Sequence, residues 1–271
     1  MNRPEFIAGH WPERTENSTP VAVVGAGIVG LSAALWLQRA GLQVLLIDKQ
    51  PPGQGASFGN AGLFADYARL PFARFSLMCK MPKLLLDSQS PLSLRPHYLP
   101  ALLPYGWHFS RACLPGNYQR GREALSGLQR LAPDADRQLL EMASAKDLVK
   151  GEGCLGLFSS AKGFEDAKNS DLQERREQGV ELEFLAPEAV QELEPGLRPF
   201  HAGGVFYPNT RFTVSPVELC QRYFDQFRRN GGQMITGELQ GVAFRESGLE
   251  LLLPGQRLPC SQLVVAAGVE S

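Results

Sequence analysis

The stretch that decides the fold runs Pro20-Val-Ala-Val-Val-Gly25-Ala-Gly27-Ile-Val-Gly30-Leu-Ser-Ala-Ala34-Leu-Trp-Leu-Gln-Arg-Ala40-Gly41-Leu-Gln43-Val-Leu-Leu-Ile-Asp48. Its first five residues form a β-branched apolar run, the pattern of a parallel strand buried on both faces. Ten residues of helix formers follow and close on Gly41, a good C-cap. A second apolar run then ends on an acid, Asp48. The whole is a βαβ unit with its glycines in the first turn. Gly25 permits the tight turn, Gly27 lets backbone approach a pyrophosphate, and Gly30 allows the helix to pack closely on the strand. The helix N-terminus offers N–H groups and a positive dipole end to phosphates. Asp48 can accept hydrogen bonds from both ribose hydroxyls, which argues against a 2′-phosphate there. The spacing therefore predicts a dinucleotide site.

Downstream comes a glycine-dense loop, Lys49-Gln-Pro-Pro-Gly53-Gln-Gly55-Ala-Ser57-Phe-Gly59-Asn60-Ala-Gly62. It is far longer than the connections expected in a dehydrogenase's NAD domain. Its small residues let backbone N–H groups, Ser57 and Asn60 approach a ligand. A flexible surface loop is the alternative.

GAGIVGLSAALWLQRAGLQVLLID followed by GASFGNAG resembles the FAD-dependent D-amino-acid dehydrogenase family, within the D-amino-acid oxidase and glycine/sarcosine oxidase superfamily. The likeness continues through Asp87–Arg95, Gly153–Phe158, Gly204–Pro208 and Gln262–Gly268, and covers nearly everything from Pro20 to Ser271. It implies FAD contacts from Gly25, Ala26, Gly27, Ile28, Val29 and Gly30, and from Asp48 and Lys49. It also implies contacts from Ser57, Gly59, Asn60, Ala61 and Gly62, a backbone contact from Leu239 to the adenine, and contacts from Ala266, Ala267 and Gly268. Asn60 is the residue it places nearest the isoalloxazine. Asp48 departs from the Glu more usual at its place, but its shorter side chain still reaches a ribose.

The expected fold is α/β, α+β overall: a Rossmann-like FAD-binding domain with an inserted, mixed-sheet substrate domain. The FAD-binding domain is expected at 19–80 and 214–271 and the substrate domain at 81–213. Helix-period spacing marks 121–146 and 161–178, while 153–159 and 203–207 read as strands. Proline-bounded Pro187–Leu193 and the Ser215-Pro216 start of a segment running to Arg229 read as helices. Strands at 234–236, 239–245, 249–253 and 263–266 are expected to return the chain to the first sheet.

Composition narrows the function. The 271 residues carry 27 Lys plus Arg against 28 Asp plus Glu, a formal charge of −1 that gives no electrostatic reason to bind nucleic acid. Cys79, Cys113, Cys154, Cys220 and Cys260 are scattered, with no CxxC pair, so reduced thiols rather than a metal site or a disulfide framework are expected. His10, His97, His108 and His201 lack a GxSxG elbow or a metal-spaced partner. Met1–Pro20 has no apolar h-region and reads as the polar tail of a cytoplasmic protein.

Charge is uneven along the chain. Between Tyr67 and Arg122 stand eight Lys or Arg and one acid, Asp87, interleaved with Tyr98, Leu102, Leu103, Tyr105, Trp107 and Phe109. Too many prolines and charges are present for a bilayer span. One reading is a peripheral surface on the anionic inner face of a membrane; such docking would suit a dehydrogenase that passes electrons to a membrane quinone, as the resemblance implies. The other is a core helix pair with solvated basic faces.

The resemblance implies oxidation of the α-carbon of a D-amino acid, with hydride passing to flavin N5. The imino acid formed then hydrolyses to a keto acid and ammonia. Asn60, Tyr207 and Arg211 are the candidates for substrate contact, Arg211 as the cation for the carboxylate. An amine or glycine oxidase using oxygen is the alternative activity. Family chains continue beyond Ser271 into further substrate-domain strands, so a FAD-binding fragment without turnover is the other expectation.

Overall fold

The computed structural model describes residues 19–86, 96–151, 153–198, 202–246 and 248–271. The polar N-terminal tail with His10, the stretch Asp87–Arg95 and His201 lie outside the described residues. Two compact units divide the chain, one from the described residues of 1–64, 136–150 and 211–271, the other from those of 65–135 and 151–210.

The first unit opens with β1 (Val21–Val24), α1 (Ile28–Arg39), β2 (Val44–Asp48) and β3 (Leu63–Phe64). The second begins with α2 (Phe75–Leu86), α3 (Leu99–Ala112) and α4 (Pro115–Met142), whose residues from Asp136 onward belong to the first unit. The first unit also contains β4 (Val149–Lys150). The second continues with β5 (Cys154–Leu157), α5 (Ala161–Lys168), α6 (Asp171–Glu177), β6 (Glu183–Leu185), α7 (Pro187–Leu193) and β7 (Gly204–Tyr207). The first closes with β8 (Arg211–Thr213), α8 (Pro216–Arg229), β9 (Gln233–Thr236), β10 (Gly241–Arg245), β11 (Gly248–Leu253), β12 (Gln256–Cys260) and β13 (Gln262–Val265).

The first unit is Rossmann-like. Its parallel sheet has the order β13-β1-β2-β9, with Val24 opposite both Val265 and Ile47. Alternate strand residues face opposite ways, and both faces are covered. Val23 and Leu46 pack with Leu31 and Leu35 of α1 and with Leu219, Tyr223 and Phe227 of α8. Ala22, Leu45 and Ile47 pack with Leu251, Leu253 and Cys260.

α8 forms where its sequence says it should. The Ser215 side chain accepts from Glu218 N at 3.2 Å, Pro216 fills the first turn, and Arg228 and Arg229 sit in the last. Its buried residues Leu219, Cys220, Tyr223 and Phe227 form one apolar stripe.

Three sequence expectations need correction. Only β9 and β13 return to the parallel sheet; β10, β11 and β12 form a separate antiparallel meander. Local periodicity does not say which partner a strand takes, and β12, with Pro259 in it, carried too weak a pattern to be seen. The helix expected over 161–178 is two helices. Asn169 Nδ2 and Ser170 Oγ donate to the carbonyls of Glu165 and Asp166, at 2.9 and 2.6 Å, at the break. The helix expected over 121–146 is α4, which starts earlier at Pro115. It ends at Met142, where Ser144 turns to φ +51° and Ala145 N bonds back to the Leu140 carbonyl.

In the second unit the three-stranded sheet β5-β7-β6 is antiparallel. Its core gathers Phe164, Leu172, Val180, Leu182, Val205 and Tyr207.

Candidate functional site

The β1–α1 turn leaves no room for side chains at two positions. Gly25 has φ +109°, and a Cβ there would lie 2.2 Å from the Ala266 carbonyl oxygen. A Cβ on Gly30 would lie 1.8 Å from the Gly25 carbonyl oxygen. The turn is clamped from both neighbouring strands, by Gly25 N to Ile47 O at 2.8 Å and Ala266 N to Val24 O at 2.7 Å. α1 starts at Ile28 after a Gly27 N-cap, so by helix geometry its first N–H groups have no intrahelical acceptor. Val29, on this first turn, is 69% exposed.

Asp48 sits beside this turn and braces it. Its Oδ2 accepts from Ala26 N at 2.6 Å and its Oδ1 from Gln50 N at 2.8 Å. Each carboxylate oxygen has a further lone pair, so ribose hydroxyls can still be accepted. Lys49 follows at the strand end.

The glycine-rich loop is pinned rather than free. Gly53 N donates to the Ala26 carbonyl at 2.9 Å, and Ile28 N donates to Ser57 Oγ at 3.0 Å. Further on, Asn60 Oδ1 accepts from Gly62 N at 2.7 Å, while Gly62 packs against Thr213, whose N donates to the Gly62 carbonyl at 2.9 Å. Gly59, Asn60 and Ala61 are exposed.

The turn, Asp48, Ser57 and Ala266 are thus brought together. Ala267 and Gly268 continue from the end of β13, and Leu239 is half-buried against the cluster beneath β2 and the meander.

Asn60 and Arg211 belong to the first unit and Tyr207 to the second. Tyr207 is 6% exposed and stacks on Tyr67 with ring centroids 4.4 Å apart, a core position rather than a pocket wall. Burial pushes its hydroxyl pKa up. Arg211 is engaged already, its Nη2 3.8 Å from Asp136 Oδ2 and its guanidinium over the Phe64 ring. Burial raises the Asp136 carboxyl pKa, and Arg211 opposes that rise.

Sequence reasoning missed Thr213, which shapes the loop's end, and Cys220, whose side chain packs on Gly53. Neither carries a local signal, because each acts across more than 150 residues of chain. Among the described residues, no group of three or more His, Cys, Asp or Glu side chains could hold a metal ion.

The residues fit a dinucleotide. A bare glycine turn faces a helix N-terminus, a carboxylate ends the second strand, and a small-residue loop lies over both. This geometry defines a Rossmann-like dinucleotide-binding fold. The family model described as DAO, FAD dependent oxidoreductase, matches residues 20–271, and the chain belongs to that family, whose cofactor is FAD. D-amino-acid oxidase of Bradyrhizobium diazoefficiens is 29% identical over 261 residues, which is 93% of this chain and 60% of that protein. D-amino acid dehydrogenase of a Methylobacterium species is 31% identical over 260 residues, 92% of this chain and 60% of that protein. The chain thus spans about 60% of the length of these curated relatives. Among solved structures, glycine oxidase from Geobacillus kaustophilus matches with a TM-score of 0.63 at 20% identity, covering 93% of this chain and 56% of that one.

Proposed function

We propose that the chain holds FAD on its first unit and forms part of an enzyme that oxidises the α-carbon of a D-amino acid. The observation that carries this reading is the similarity to D-amino-acid oxidase, which runs through both units. In this reading the turn Gly25–Gly30 and the N-terminus of α1 hold the pyrophosphate, and Asp48 holds the ribose. The loop Ser57–Gly62 and the segment Ala266–Gly268 lie along the cofactor, with Leu239 at the adenine. When bound, FAD supplies the sink for the two electrons that leave the substrate's α C–H bond. The imino acid so formed is hydrolysed by water to a keto acid and ammonia.

Of the three substrate-contact candidates we retain Asn60, because Tyr207 is committed to a core and Arg211 to Asp136. The test is the flavin spectrum of purified protein, followed by anaerobic addition of D-amino acids. Yellow protein bleached by a D-amino acid and not by its L-enantiomer is expected. Yellow protein that no D-amino acid bleaches counts against the activity. Peroxide release on admitting air separates an oxidase from a dehydrogenase.

For the electron acceptor we favour a membrane quinone, reached by peripheral contact. The support is α3, on which Leu103, Tyr105 and Trp107 are 71%, 65% and 66% exposed and no acid occurs. A helix apolar on its exposed surface and basic at its end suits an anionic lipid interface. No helix among the described residues is long and apolar enough to cross a membrane.

A further inference from the structure

The end of the glycine-rich loop rests on one buried side chain of β8. Thr213 is 5% exposed, and its β-branched side chain sends a methyl and a hydroxyl to different neighbours. The methyl lies against Gly62, which has φ +71°: a Cβ there would come within 2.8 Å of Thr213 Cγ2 and of the Thr213 carbonyl oxygen. Backbone completes the contact, because Thr213 N donates to the Gly62 carbonyl at 2.9 Å. The hydroxyl serves the start of α8 instead, donating to the Ser215 carbonyl at 3.3 Å and accepting from Ser215 N at 3.4 Å, both long contacts. Gly62 in turn fixes Asn60. Gly62 N donates to Asn60 Oδ1 at 2.7 Å, so the asparagine's oxygen is used within the loop and its amide N–H₂ is the end left to meet a ligand. Gly62 is the one buried residue between Gly59 and Leu63. Exposed residues that form no core of their own keep one shape only where something beneath them dictates it. Here the support is the Thr213 methyl.

We propose that Thr213 is a positioning residue for FAD: its methyl group seats Gly62 and so holds Asn60 and the end of the loop in their cofactor-binding shape before the cofactor arrives. Ordering a loop in advance removes an entropy cost from binding. The inference rests on the reading that FAD lies along Ser57–Gly62. Being buried, Thr213 acts through Gly62 rather than by touching the cofactor.

The test uses the whole chain, separates the methyl from the hydroxyl, and reads two quantities that do not depend on turnover. Thr213→Val keeps the group under Gly62 and gives up the long contacts to Ser215, whereas Thr213→Ser keeps the hydroxyl and empties the space under Gly62. FAD affinity of deflavinated protein is titrated by flavin fluorescence for wild type and both variants. Thr213→Ser should bind FAD about threefold to fivefold more weakly, the effect of one buried methyl. Thr213→Val is expected to stay within about twofold of wild type. Amide hydrogen exchange of the FAD-free proteins is then followed by mass spectrometry. The N–H groups of Phe58, Asn60 and Gly62 each have an acceptor in the loop, so the segment 57–62 should be protected in wild type and in Thr213→Val. It should exchange faster in Thr213→Ser, while the β1 and α1 segments stay unchanged in all three.

Equal FAD affinity in all three proteins, or a valine variant as weak as serine, overturns the proposal. Faster exchange everywhere in Thr213→Ser does the same, since it reports only a general loss of stability. One arm needs no variant to fold: a segment 57–62 that exchanges in FAD-free wild type as fast as an unstructured peptide shows that the loop is not held in advance. Wild-type protein with a protected loop that takes up no FAD removes the cofactor assignment and this inference together.

Discussion

Gly30 stands directly against Gly25: a Cβ on the first would lie 1.8 Å from the carbonyl oxygen of the second. This contact lets α1 start immediately beside β1, so that the helix N-terminus faces the space above the strand ends. A methyl group cannot be absorbed there, because the obstacle is backbone. Gly30→Ala is expected to destabilise the first unit by about 3 kcal/mol and to abolish flavin retention during purification. Urea denaturation and the absorbance of the purified variant check it, and a yellow, fully stable Gly30→Ala protein would refute the packing argument.

Asp48 braces the same turn through Ala26 N and Gln50 N. Asp48→Ala strands the N–H of buried Ala26, leaves the exposed Gln50 N–H to water and removes the ribose acceptor. A stability loss of about 1 to 3 kcal/mol is expected, with FAD affinity down at least roughly tenfold. Asp48→Glu should recover part of the affinity by titration, since the longer carboxylate still reaches a ribose. No recovery would argue that Asp48 serves the turn alone.

Tyr118 links stability to alkaline pH. Its hydroxyl donates to Glu174 at 2.8 Å, and burial, followed by that hydrogen bond, pushes its pKa up to about 12. A raised folded-state pKa means that the stabilisation is fully present below the unfolded value near 10. It is then lost as pH rises from about 10 to 12. Tyr118→Phe should flatten the stability curve across that window, as read by chemical denaturation at stepped pH. An unchanged slope would show that the hydroxyl does not titrate in this environment.

The exposed apolar surface of α3 gives a binding prediction. Wild-type protein should co-sediment with vesicles rich in anionic lipid at low salt and less so at high salt, because basic groups near a surface are screened. Leu103→Ser combined with Trp107→Ser should reduce the bound fraction several-fold while flavin content stays unchanged. Equal sedimentation with purely zwitterionic vesicles would point to non-specific adhesion, and none at low salt would end the membrane reading.

Much of the first unit was legible because its signals are local. Val21–Val24, Ile28–Arg39 and Val44–Asp48 follow from apolar runs, helix formers and glycine punctuation within 30 residues. α8 announced itself through Ser215-Pro216 and its apolar stripe. The meander did not, since strands look alike whether they join a parallel sheet or pair among themselves. Nor did the break at Asn169 and Ser170, where side chains compete with backbone for carbonyls.

What the sequence determined by itself was a dinucleotide turn: three glycines, a following helix and a terminal acid at spacings that short-range sterics alone enforce. Only the tertiary structure decided which residues support it. It commits Arg211 to Asp136 and Tyr207 to Tyr67, and seats Gly53 on Cys220. Those pairings join residues 75, 140 and 167 positions apart. They depend on how whole elements pack, a property carried by no single stretch of chain.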